Sequence, residues 1–141
     1  MKTKLLTMML VFSMVITGAA SFTSVVSAAN TADTTYAFSN TNTTGQSAWR
    51  TKENTTKVYV YPKSGPKIRY TVYGRKDSSG NGVFCSNQVA IPLGVQGSIT
   101  NQVREKGYNM AQLRFERITY AQVDTKGVWS PDSSQNYTIY N

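Results

Sequence analysis

The chain has no histidine, one cysteine, four prolines and only seven acidic residues among its 141. Each shortage excludes a chemistry. Without histidine there is no Ser-His-Asp triad, no Cys-His pair and no histidine-ligated zinc. Cys85 has no second cysteine with which to close an internal disulfide and no histidine to raise its thiolate fraction, so it reads as a small buried hydrophobe on a strand. The carboxylates reduce to Glu53, Glu105, Glu116, Asp33, Asp77, Asp124 and Asp132. Glu105 sits between Arg104 and Lys106, and Glu116 between Arg114 and Arg117. These neighbours keep a carboxylate ionised and surface-paired instead of raising its pKa for acid catalysis. The expectation is a protein that is not an enzyme, with no catalytic residue, no cofactor and no metal site.

Long apolar runs are missing too, except at the N-terminus. There Lys2 and Lys4 precede an apolar stretch from Leu5 to Ile16, and small residues follow up to Val26-Ser27-Ala28-Ala29. This is the pattern of a secretory signal peptide over residues 1–28, cut after Ala28, with Ala29 as the alternative. The run is shorter than the roughly 20 residues of a spanning helix, so the processed chain is expected not to span a membrane. Removing the leader leaves 113 residues, one domain by length, with thirteen basic and seven acidic side chains. A cationic exported protein meets anionic partners. A wall polymer such as teichoic acid, or an acidic polysaccharide, is expected, without specific nucleic-acid recognition. The expected location is secreted or extracellular, with cell-wall association.

Residues 29–54 form a Thr/Asn-rich segment expected to begin as a loose leader and to join the sheet late. From residue 55 to 141 the chain reads as a β domain. Period-two alternation marks Thr55 to Tyr61 and Lys67 to Gly74 as strands, and Val83 to Ser86, Ala111 to Ile118, Tyr120 to Asp124 and Tyr137 to Tyr140 as shorter ones. Short strands at this spacing predict an all-β fold, a small antiparallel β-sandwich or barrel-like domain with at most one short helix. Ser98 to Lys106, with Ile99 and Val103 four apart and Gly107 beyond, fits that helix or a strand.

The net charge is concentrated. Between Lys57 and Lys76 lie six basic residues and no acid. With Pro62 to Pro66 as a connecting loop, the segment is expected to be a hairpin pairing Tyr59 with Arg69 and Tyr61 with Lys67. One face would carry Val58, Val60, Ile68, Tyr70 and Val72, and the other Lys57, Tyr59, Tyr61, Lys67, Arg69, Thr71 and Tyr73. Lys57, Tyr59, Tyr61, Lys63, Lys67, Arg69, Tyr73, Arg75 and Lys76 are therefore the candidate binding residues, cations for phosphates or carboxylates and tyrosines for stacking. Asp77 to Gly82 has the opening spacing of a calcium loop, but Gln88 at the twelfth position cannot supply a bidentate carboxylate, and a Gly/Asn turn accounts for the same residues.

Near the C-terminus, Gly127-Val-Trp129-Ser-Pro131-Asp132-Ser133 reads as a core aromatic followed by a tight turn with side-chain-to-backbone bonds. Together with Ala111-Gln-Leu113-Arg-Phe115 and the leader, this block resembles small secreted proteins of Gram-positive bacteria, families of unknown function ending in a similar Trp-Ser-Pro-Asp-Ser run. The resemblance implies no catalytic residue. The expected function is non-catalytic binding of an anionic envelope or extracellular polymer through the basic, Tyr-rich hairpin. The alternative is a secreted bacteriocin-like antimicrobial or competition factor.

Overall fold

The computed structural model describes residues 29–141; the expected signal peptide and its Ala28 cleavage site lie outside the described residues. Eleven strands are found among those residues: β1 (Thr34–Ser39), β2 (Thr44–Gln46), β3 (Arg50–Thr51), β4 (Val58–Ser64), β5 (Ile68–Arg75), β6 (Val83–Phe84), β7 (Val89–Ala90), β8 (Gly97–Ile99), β9 (Met110–Arg117), β10 (Asp124–Ser130) and β11 (Thr138–Tyr140). One sheet has the order β1-β10-β4-β8-β11 and the other β2-β9-β5-β6, with β3 beside β9 and β7 beside β5. All pairings are antiparallel except β8 with β11. The architecture is the expected all-β sandwich, not a closed barrel.

Alternation builds the core. Tyr36 and Phe38 from β1, Val58 and Val60 from β4 and Trp129 from β10 meet Ile68, Tyr70 and Val72 from β5 and Ala111, Leu113 and Phe115 from β9. Phe115 stacks on Tyr36 at 5.0 Å between ring centroids and takes the edge of Tyr70 at 6.0 Å, joining the sheets. Each large apolar side chain fully removed from water contributes about 1.5–3 kcal/mol. Trp129 is buried, as its sequence context predicts.

The expected β4–β5 hairpin does not form. The two strands lie in different sheets, so Tyr59 pairs with Ser98 and Ser130, and Arg69 with Glu116 and Ala90. The link is an arch from one sheet to the other. Its turn packs on the β10 backbone: Gly65 has φ +91°, a Cβ there would stand 2.1 Å from the Asp124 carbonyl oxygen, and Thr125 Oγ1 donates to the Pro66 carbonyl at 2.7 Å. Val58, Val60, Ile68, Tyr70 and Val72 do share the core. In a hairpin they would do so from one sheet, and in an arch they do so from two facing sheets. Alternation is the same in both, so it could not decide between them.

Two further segments depart from expectation, and one left open is decided. The Asn30 to Asn54 segment supplies three strands and two core aromatics, Tyr36 and Phe38. Tyr120 to Asp124 is a loop as far as Val123, with Tyr120 and Val123 exposed. Ser98 to Lys106, whose sequence fits a helix or a strand, begins in β8 and ends in a single turn closed by the Lys106 N–H donating to the Gln102 carbonyl at 3.0 Å, too short a run for a helix. Gly127 of β10 lies against Tyr61 and Tyr36: a Cβ there would be 2.3 Å from the Tyr61 carbonyl oxygen and 2.6 Å from the Tyr36 hydroxyl. Backbone cannot yield as a flexible side chain can. Gly127→Ala is therefore expected to cost about 3 kcal/mol by urea denaturation; a loss within experimental error would mean that β1 and β4 can spread.

Candidate functional site: an arginine and aromatic face

The outer face of the second sheet follows from the β5–β9 register. Outward positions on β5 are Arg69, Thr71, Tyr73 and Arg75; opposite them on β9 stand Glu116, Arg114, Gln112 and Met110. Their inward neighbours Tyr70, Val72, Ala111, Leu113 and Phe115 are in the core, so the sequence must point these residues outward. Trp49, between β2 and β3, and Phe84, on β6, complete the face.

Guanidinium groups and rings are interleaved across it. Arg75 lies over Trp49 with its Cζ 4.3 Å from the ring centroid, and Arg114 over Tyr73 at 4.6 Å. Tyr73 in turn packs on Phe84 at 4.5 Å between centroids. Stacking holds each guanidinium flat and leaves its edge for hydrogen bonding. Arg69 is used differently. It binds Glu116 at 2.9 Å, and Gln88 Nε2 donates to the other carboxylate oxygen at 3.0 Å; these bonds, Gln88 first, hold the Glu116 carboxyl below the usual range. Arg75 and Arg114 have no carboxylate partner among the described residues. Four strand residues separate them along the sheet in the β5–β9 register, roughly 13 Å. A shallow groove of about 180 Å³ runs beside Arg114 between Tyr73, Phe84, Thr44 and Glu116.

Of the nine candidate residues, Arg69, Tyr73 and Arg75 lie on this face. Lys57, Tyr59, Tyr61 and Lys63 belong to the other sheet or its approach, Lys67 is exposed in the arch, and Lys76 is exposed beyond β5. Tyr59 is buried against Tyr137, with 4.6 Å between ring centroids, and donates to Gln96 Oε1 at 3.0 Å; it is not a stacking platform. Trp49, Phe84 and Arg114 were missed. The alternation of Gln112, Arg114 and Glu116 was a readable signal that they face outward, but which strand they meet is a long-range pairing.

A second cluster also escaped the sequence reading. Lys52 and Asp132 form an ion pair at 3.0 Å with both side chains fully buried. Lys52 Nζ also donates to the carbonyls of Thr56 and Pro131, while Asp132 Oδ2 accepts the backbone N–H groups of Asn30 at 2.7 Å and Glu53 at 2.9 Å. Burial pushes the Lys52 ammonium's pKa down, and the bond to Asp132 opposes that shift. Arg50, beside it, donates to the Trp129 carbonyl at 3.1 Å and to Asn30 Oδ1 at 3.0 Å. With every polar end occupied by protein, this cluster fastens the N-terminal strands to β10 and has no free edge for a ligand. At the Asp77 turn the carboxylate is taken by the Ser79 N–H at 2.8 Å and Ser79 Oγ at 2.6 Å, the turn reading of that stretch. Cys85 is buried, and burial raises its thiol pKa, as for an inert core residue.

Residues 24–133 match a family described as a protein of unknown function (DUF2712). The chain belongs to the DUF2712 family. The matched span takes in β1 to β10, both members of the Lys52–Asp132 pair and every aromatic and arginine of the outer face, leaving out β11. It ends at Ser133, the last residue of the Trp-Ser-Pro-Asp-Ser block. The resemblance drawn from that block is met at this level: a family whose function is unknown. No curated protein and no solved structure matches the chain. No helix of the described residues is long and apolar enough to cross a membrane.

Proposed function

We propose that this DUF2712 protein is a secreted, non-catalytic protein of the Gram-positive cell envelope that holds an anionic wall polymer or polysaccharide across the outer face of its second sheet. The observation that carries the reading is the pair of ring-stacked arginines, Arg75 on Trp49 and Arg114 on Tyr73, neither of which has a carboxylate partner. Stacked guanidinium groups are ordered before binding, so less side-chain entropy is lost when they grip a phosphate or carboxylate. A polymer presenting such groups can lie along β5 and meet both. Exposed Phe84 offers an apolar edge to a sugar ring or carbon backbone passing between them.

The leader read from residues 1–28 and the excess of basic residues fit the envelope location.

The test is retention on immobilised teichoic acid at low salt. Arg75→Gln with Arg114→Gln is expected to weaken binding by roughly 30-fold, about 2 kcal/mol, and to flatten its salt dependence. Lys57→Gln with Lys63→Gln, on the other sheet, should change it little. Equal retention of the arginine variant and the parent protein would overturn the assignment.

A further inference from the structure

One end of the sandwich carries a feature that polymer binding on the second sheet does not use. The loop between β9 and β10 exposes three apolar side chains within six residues: Ile118, Tyr120 and Val123 are 43, 59 and 60% exposed. The loop is held in that shape. Asn40, itself fully buried, donates from Nδ2 to the Val123 carbonyl at 2.8 Å and to Thr125 Oγ1 at 2.9 Å. Ala121 N–H returns a bond to the Asn40 carbonyl at 3.4 Å, and Arg117 donates to the Thr43 carbonyl from its backbone at 3.0 Å and to the Thr41 carbonyl from Nη1 at 2.9 Å. With these backbone groups turned inward, the apolar side chains are left pointing out.

Cations surround them. Arg117 lies over Tyr120 at 5.5 Å, and Lys67, exposed, precedes the Ile68 that pairs with Arg117 and so stands beside Ile118. Lys63 and Lys126, both exposed, line one shallow groove on the adjoining flank. Asp124 is the one acid in the sequence of the three stretches that form this end, residues 40–43, 63–67 and 117–126. An apolar tip ringed by cations is complementary to a bilayer with anionic headgroups: the side chains enter the headgroup and acyl boundary while Lys and Arg stay at the phosphates. A soluble polyanion would account for the cations but not for three apolar side chains presented to water.

We propose that this end of the molecule, Ile118, Tyr120 and Val123 with Arg117, Lys63, Lys67 and Lys126, is a docking surface for an anionic lipid bilayer. It is separate from the arginine and aromatic face, so the protein can hold a polymer on its sheet while its tip rests on a membrane. Neither signal is strong alone. Three partly inserted side chains give weak, reversible attachment, and the cations restrict it to anionic surfaces.

The experiment is cosedimentation of the purified secreted protein with phosphatidylcholine vesicles and with vesicles containing phosphatidylglycerol. Binding is expected only to the latter. Replacing Ile118, Tyr120 and Val123 together by Ser should lower the partition coefficient roughly tenfold or more, with only a small fall in the unfolding midpoint because about half of each side chain is already in water. Val123→Trp should bind more tightly and show a blue-shifted emission quenched by brominated lipid. Arg75→Gln with Arg114→Gln should leave lipid binding unchanged, which separates this surface from the polymer site. Failure to bind anionic vesicles at low salt would overturn the proposal. So would binding that the triple Ser variant retains in full, because attachment would then be through charge alone.

Discussion

Lys52→Met is expected to destabilise the domain by about 3–5 kcal/mol, although Met matches the aliphatic stem and fills nearly the same space. The loss comes from what remains. Asp132 would stay fully buried, still accepting the Asn30 and Glu53 N–H groups but without the ammonium that balances its charge. The Thr56 and Pro131 carbonyls would lose their shared donor as well. For a domain near this size the change corresponds to a fall in melting temperature of roughly 15–30 °C. Lys52→Met with Asp132→Asn removes the stranded charge and should regain part of the loss. It cannot regain all of it, because one amide oxygen replaces two carboxylate oxygens that serve several donors. Urea denaturation of the parent, the single and the double variants checks this. A Lys52→Met protein within about 1 kcal/mol of the parent would mean that water reaches Asp132 and that the pair does not secure the N-terminal strands.

The same pair shows where sequence reasoning stops. Lys52 lies in Thr51-Lys-Glu-Asn54, a run with no apolar alternation to point it inward, and its partner is 80 residues away. A buried ion pair is created by tertiary contact, so neither member announces itself locally. Asp132 was legible only as part of a turn. Its block does make the expected side-chain-to-backbone bonds, Ser130 Oγ to the Asp132 carbonyl among them, but the carboxylate reaches across to Asn30 and Glu53. Core membership was far more readable. Val58, Val60, Ile68, Tyr70 and Val72 are all inside because alternation fixes which face of a strand is apolar. Alternation says nothing of which strand lies alongside. The basic segment between Lys57 and Lys76 thus divides between two sheets, and Arg69, Tyr73 and Arg75 find Glu116, Arg114 and Trp49 in place of Tyr59 and Tyr61.

Raising the pH above about 10 is expected to destabilise the protein progressively through two phenols that meet in its core. Tyr36 and Tyr70 share a hydrogen bond of 2.8 Å between their hydroxyls, and both side chains are buried between the sheets. Burial opposes the phenolate, so it pushes the Tyr36 pKa up to about 12, although the bond from Tyr70 opposes part of that shift. Tyr70 is raised in the same direction, first by burial and then by the charge and hydrogen bond of Tyr36. In the unfolded chain both titrate near 10. Above that pH the unfolded state has released protons that the folded state still holds, so stability falls with pH. The contribution is fully present below about pH 10 and is lost as the pH rises toward the folded values. Each phenol held neutral in the fold costs about 1.4 kcal/mol for every pH unit above 10 until its folded value is reached, so the loss by pH 12 is a large share of an ordinary domain's stability. Urea midpoints should therefore be level up to about pH 9.5 and fall steeply beyond it. In Tyr36→Phe with Tyr70→Phe the fall should be much shallower. It should not vanish, since burial also raises Tyr59 to about 12 and that phenol remains. Parallel pH profiles for the two proteins would place the alkaline sensitivity outside the core pair.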